Sequence, residues 1–235
     1  MGHIIADKNR LWPEGIIPYE LDAALTPDGA AHEPAVESPA KLIQRALLEW
    51  NQRTILRFIP RTDERDYIVF APTEHVCSSE HAGRNGGMQS IWINAERARR
   101  LCSGVEGGAV GVVIHEIGHA IGLLHEHLRS DRDDYVSIKW DNVDPERLCN
   151  FCIHTQEQGC DRCEPKRGRS VGPYDYDSIM HYFATQGARD ESRPTIVPLS
   201  ALPAGSESAG RKIGRCDGLS EGDIATIAAV YSRGE

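Results

Sequence analysis

The residues of this chain best suited to chemistry are His115, Glu116, His119 and His125, within the string HEIGHAIGLLH. On a helix, positions 115 and 119 stack on one face about one turn apart. Two neutral imidazoles so placed can hold one zinc ion at about 2.0–2.1 Å each. Glu116, beside the first histidine, can reach a water held on the metal, the place of a general base in His-Glu-x-x-His peptidases. His125 does not fit the same helical face. Gly122 resolves this, because glycine accepts the left-handed backbone that lets the chain reverse and bring His125 back. Three protein nitrogens leave one coordination position open, the mark of a catalytic rather than a closed site. The alternative, ordinary helix histidines, would bury polar rings in an apolar helix without compensation.

A second signal lies downstream, at Ser178-Ile179-Met180-His181-Tyr182. A methionine in an apolar pentapeptide is usually core. Following an extended zinc string, Met180 reads as an apolar base under three imidazoles, and the pair of motifs is the metzincin pattern.

Recognisable elements surround these residues. Ser38 caps a helix whose first position is Pro39, and Leu42, Ile43, Ala46, Leu47 and Trp50 share its apolar face. WPEGIIPYELD reads as a turn feeding a strand, and ILRFIP, DYIVFAP and MQSIWIN read as further strands. The run GGAVGVVIHEIGHAIGLLH is a buried helix that stops near Gly122. Residues 126–217 look irregular. Ser220, with Asp223 three positions on, opens a last helix with Ile224, Ile227, Ala228 and Tyr231 on one face.

Composition narrows the class. The chain has 235 residues, enough for a substantial core, and a formal net charge of −9. That acidity argues against a nucleic-acid binder, which would carry a basic face. No apolar run approaches the ~20 residues of a membrane span. MGHIIADKNRLWPEG is not a secretory leader, having no long apolar core. Seven cysteines are many for a reducing cytosol, so a secreted or extracellular segment whose leader is gone fits better.

HEIGHAIGLLHEHLRSDRDDYVSI strongly resembles the long zinc signature of the astacin family, and SIMHY resembles its Met-turn. LWPEGIIPY, RFIPRTDERDYIVF and TIVPL extend the likeness across nearly the whole chain. The resemblance implies an α+β, two-lobed metzincin-type catalytic domain over 1–235. The upper lobe, about 1–122, would hold a twisted sheet and the zinc helix. The lower lobe, about 123–235, would be mostly irregular with a C-terminal helix. It also implies a zinc-dependent endopeptidase with His115, His119 and His125 on one catalytic Zn2+. Glu116 would take a proton from water and pass it to the leaving amine, and Tyr182 would stabilise the oxyanion. MQSIWIN would be the rim strand that pairs with an extended protein or peptide substrate. Glu126 matches the residue that receives a processed N-terminus through water. Family members often favour acidic residues just after the cut, but no basic pocket residue is identifiable here.

The family pattern carries two disulfides. Cys77 and Cys102 match one; for the other, Ile55 stands where a cysteine is expected and its C-terminal partner is missing too. CNFCIHTQEQGCDRC is an insertion whose two CxxC pairs suit loop-stapling disulfides or a small second zinc site, with disulfides favoured in an oxidising compartment. Cys216 is then an odd, inert thiol. His3, His32, His75, His81 and His154 read as surface or locally hydrogen-bonded residues, and His127 and His181 as non-ligands. Two other functions remain open to the sequence: a silent zinc fold that binds a protein partner, and a zinc hydrolase of non-peptide amides. Intact Glu116 and Tyr182 argue against the first, and a strand-like rim against the second.

Overall fold

The computed structural model describes residues 2–25, 37–105, 108–153, 160, 163, 168–199 and 212–232. His32 and His154 lie outside the described residues. In chain order the strands are β1 (Gly2–Ile5), β2 (Ile16–Leu21), β3 (Arg57–Pro60), β4 (Tyr67–Pro72), β5 (Ser78–Ser79), β6 (Met88–Ile93), β7 (Leu123–Leu124), β8 (Val136–Ile138), β9 (Gly168–Val171) and β10 (Ile196–Pro198). The helices are α1 (Pro39–Arg53), α2 (Ala95–Leu101), α3 (Gly108–Ala120) and α4 (Glu221–Tyr231).

α1 starts where its cap chemistry places it. Ser38 Oγ accepts the Lys41 N–H at 3.4 Å, and Pro39 occupies the first turn, where no N–H is needed. Its apolar stripe, Leu42 to Trp50, is buried, and Trp50 Nε1 donates to the Ile114 carbonyl of α3 at 3.3 Å. The main sheet runs β3-β2-β4-β6-β5. The first four strands are parallel, and β5 lies antiparallel to β6. Ile68 and Phe70 of β4, with Ile91 and Ile93 of β6, point into a core shared with α1 and α3. A period-2 alternation thus delivers one sheet face to the helices.

A second core gathers Val136, Ile138, Phe151, Tyr176, Tyr182 and Ile196 in the other half of the chain. The molecule is therefore α+β and two-lobed. Both chain ends lace the lobes together. β1 pairs with β7 on one side and β9 on the other. Ile227 and Tyr231 of α4 join the larger core, and Tyr231 Oη donates to the Ile121 carbonyl at 2.8 Å.

Two expectations are corrected here. MQSIWIN is not the outermost strand: β6 sits between β4 and β5, and Ser78–Ser79 forms the edge. A two-residue polar strand is too short to give a periodic signal in the sequence. The cysteine pairing also differs. Cys102 bonds to Cys216, with Cα atoms 6.0 Å apart, and Cys77 is a free thiol. The Cys216 backbone lies against Gly111 of α3 so closely that a Cβ there would collide with it. That approach brings Cys216 to the end of α2, while Cys77 Sγ accepts the Asn94 N–H at 3.2 Å. Burial pushes the Cys77 thiol up to about 11, so it is a poor nucleophile. In the insertion, Cys149 bonds to Cys163 and Cys152 to Cys160. Three of these sulfurs lie within 4.8 Å of one another, but as disulfides they are not the thiolates a zinc site needs.

Candidate active site

α3 is buried along almost its whole length and presents His115 and His119 from successive turns. The helix ends at Ala120, and Gly122 takes φ +105°, with its N–H bonded to the His119 carbonyl at 2.8 Å. A Cβ at Gly122 would press on Ile5 of β1, so the reversal needs glycine for space as well as for backbone conformation. The chain then returns His125 to the other two histidines. His125 Nε2 stands 3.2 Å from His115 Nε2 and 3.2 Å from His119 Nε2.

The donor set fits a zinc ion. His115 Nδ1 lies 2.8 Å from the Ile179 carbonyl, and His119 Nδ1 lies 2.9 Å from the Leu123 carbonyl. A carbonyl can only accept, so each Nδ1 carries the proton and each Nε2 turns a lone pair inward. Burial holds His115 below the ordinary histidine range and so neutral, as a ligand must be. The inward lone pairs of His115 and His119, with His125 Nε2 beside both, suit a cation held between them. Two nitrogens about 2.0–2.1 Å from one tetrahedral ion stand roughly 3.3 Å apart, close to the spacing seen.

Met180 packs against α3, the helix that carries two of the three histidines. It is buried, and its Sδ is so near Gly118 that a Cβ there would meet it at 2.6 Å. Its carbonyl accepts the Glu126 N–H at 3.1 Å, and Ile179 supplies the acceptor for His115. The Met-turn is anchored by Asp223, beyond its role as helix cap. Asp223 accepts from Ser178 Oγ at 2.6 Å, from the Ile179 N–H at 2.9 Å and from the Ser220 N–H at 2.9 Å. Replacing Asp223 by Ala strands three buried donors. Asp223→Ala is expected to cost about 3 kcal/mol of stability, read by denaturant unfolding. A loss under roughly 1 kcal/mol would show that water replaces the carboxylate.

Glu116 is buried next to the triad on α3. Burial pushes its carboxyl up to about 8, and the Ser79 backbone N–H of β5 pulls the other way. The sheet edge and the acid thus meet at one point, which the sequence did not disclose. Tyr182 lies across the site with its ring 4.5 Å from that of His125. Burial raises its phenol to about 12, so it remains a proton donor at neutral pH. Among the described residues its hydroxyl makes no hydrogen bond, and ring packing sets its direction.

The remaining histidines divide clearly. His127 Nε2 lies 2.9 Å from the Asn150 carbonyl, and His181 sits between Tyr174 Oη and the Tyr182 carbonyl, each at 2.7 Å. Neither is part of the cluster of three ring nitrogens. His75 is exposed and His81 half-buried. His3 departs from the surface reading: it is buried on β1, with Nδ1 3.2 Å from the His125 carbonyl, and burial lowers it to about 4. Its tight fit requires Gly168 opposite, where a Cβ would strike the ring. Glu126 is also fully buried. One oxygen accepts the Asp175 N–H at 2.8 Å and faces Arg129 Nη1 at 3.4 Å; the other has no partner among the described residues.

The fold and this constellation define a metzincin-type domain with a three-histidine centre. The family model of the astacin peptidases matches residues 4–232, and the chain belongs to that family. It is 34% identical over 223 residues to Bone morphogenetic protein 1 of Xenopus laevis, covering 94% of this chain and 27% of that protein. It is 32% identical over 235 residues to Zinc metalloproteinase nas-14 of Caenorhabditis elegans, covering 99% of this chain and 39% of that protein. Among solved structures it is similar to high choriolytic enzyme 1, a hatching enzyme zinc-protease from Oryzias latipes. That likeness has a TM-score of 0.70 at 29% identity and covers 96% of each chain. The chain therefore spans well under half the length of these two sequence relatives.

Proposed function

We propose that this chain is a single astacin-like catalytic domain acting as a zinc-dependent endopeptidase, with its lobes dividing near Gly122. The observation that carries this reading is the convergence of three imidazole Nε2 atoms beside a buried carboxyl and a phenol. His115, His119 and His125 would hold one Zn2+. When bound, zinc supplies Lewis-acid polarisation of a carbonyl and lowers the pKa of a water toward ~7. Glu116 takes the proton from the attacking water and later gives it to the leaving amine. Tyr182 Oη donates a hydrogen bond to the oxyanion that forms in between. A protein or peptide substrate would lie extended along the β5 edge, which places its backbone next to Glu116. Glu126 fits the same scheme, since its unpartnered oxygen suits a chain-terminal ammonium reached through a water. Three disulfides favour a secreted, extracellular setting, and among the described residues no helix is long and apolar enough to cross a membrane.

The test is a cleavage map on a proteome-derived peptide library, with metal content measured on the same sample. Cuts at internal peptide bonds, with one zinc per chain, are the expected result. A zinc-loaded protein that leaves every peptide intact, or cleaves only non-peptide amides, overturns the reading.

A further inference from the structure

The insertion that the family pattern lacks reaches the site itself. Its first CxxC turn is Cys149-Asn150-Phe151-Cys152, and both of its cysteines are crosslinked to the second pair. The two residues between them face the Tyr182 wall. The Asn150 carbonyl accepts from His127 Nε2 at 2.9 Å. Phe151 is fully buried, with its ring 5.8 Å from Tyr182 at 80° and 5.5 Å from His127. That near-perpendicular contact is a geometry aromatic pairs prefer. His127 completes the packing, with its ring 4.2 Å from Tyr182 and 5.3 Å from His125.

Phe151 is held from its other sides as well. Its N–H bonds to the Leu148 carbonyl at 2.9 Å, and its carbonyl accepts from the Arg132 guanidinium. Gly187, at φ +73°, closes on the ring so nearly that a Cβ would meet it at 3.0 Å. With backbone, ring and both flanking cysteines fixed, Phe151 has little freedom to drift.

We infer that Phe151 and His127 are positioning residues for Tyr182, and that the nested disulfides Cys149–Cys163 and Cys152–Cys160 are the clasp that holds them in place. This rests on Tyr182 being the oxyanion donor proposed above. The clasp closes short stretches, with sequence separations of 14 and 8, so it acts locally. Cutting it frees the Asn150–Phe151 turn and lets the Tyr182 ring rock, while His115 and His119 keep their own carbonyl partners on Ile179 and Leu123. Turnover then falls without loss of metal or of substrate affinity.

The experiment uses the zinc-loaded chain and measures kcat, KM, zinc content and Tm. Phe151→Leu and the paired change Cys152→Ser/Cys160→Ser are each made alone and in a Tyr182→Phe background. With Tyr182 present, each is expected to lower kcat roughly 10-fold, the scale of a small misplacement, with KM within about twofold and zinc retained. With Tyr182→Phe, the same changes should alter kcat by less than about twofold, because the group they position is gone. Equal losses in both backgrounds, or an unchanged kcat for folded Phe151→Leu, overturn the inference. If the cysteine pair fails to fold, Phe151→Leu decides alone. An unchanged kcat in Tyr182→Phe by itself overturns the tyrosine reading and this inference with it, an outcome distinct from failure of the positioning residues alone.

Discussion

Glu116→Gln is expected to retain its zinc and lose turnover by roughly 10³-fold, because general acid–base catalysis contributes about 10² to 10⁴. Glutamine has nearly the same shape and can still accept from the Ser79 N–H through its amide oxygen. It is not a ligand in the triad, so the three nitrogens keep their geometry. What it cannot do is take a proton from water and return it to an amine. Burial raises the Glu116 carboxyl above the ordinary carboxylate range, toward the region where one group can both take a proton and return it. A 10³-fold loss corresponds to about 4 kcal/mol of transition-state stabilisation. Single-turnover cleavage with metal analysis on the same preparation checks it. A variant that keeps more than about a tenth of wild-type turnover would remove Glu116 from the base role. Loss of zinc would mean the carboxyl supports the metal site rather than the proton transfer.

Tyr182→Phe is expected to lower kcat by roughly 10²-fold with KM little changed, in the range found when one oxyanion donor is removed. The substitution keeps the ring and its packing against His125, His127 and Phe151, and deletes only the hydroxyl. A phenol raised to about 12 stays protonated across the neutral range, so wild-type donation should not vary with pH there. Because the bond forms mainly as the oxyanion develops, its loss falls on kcat rather than on substrate binding. Equal changes in kcat and KM, or none, would make the tyrosine structural.

Much of the site is legible in the sequence itself. The spacing of His115, His119 and His125 encodes helix geometry and a glycine reversal, both of which are local facts. Ser38 and Ser220 announce their helices because capping is a contact over three residues. The α+β class was implied by the likeness to the astacin family, and the strand-like runs beside two amphipathic helices and a buried one agree with it. Asp223 was legible only as a cap; its bonds to Ser178 and Ile179 join segments far apart in sequence.

The sequence by itself therefore determined the metal-binding string, the Met-turn, the helix starts and the lobed α+β class, since each is set by neighbours within a few residues or by a family-wide pattern. Tertiary structure alone decided which cysteine meets Cys102, because a thiol's partner depends on where the chain returns, and Gly111 lets Cys216 return there rather than Cys77. It also decided that two serines, not the strand MQSIWI after them, form the sheet edge at Glu116, and that a CxxC turn carries Phe151 to Tyr182. Such long-range contacts leave no periodicity in the sequence. They arise only when the packed cores bring the segments together.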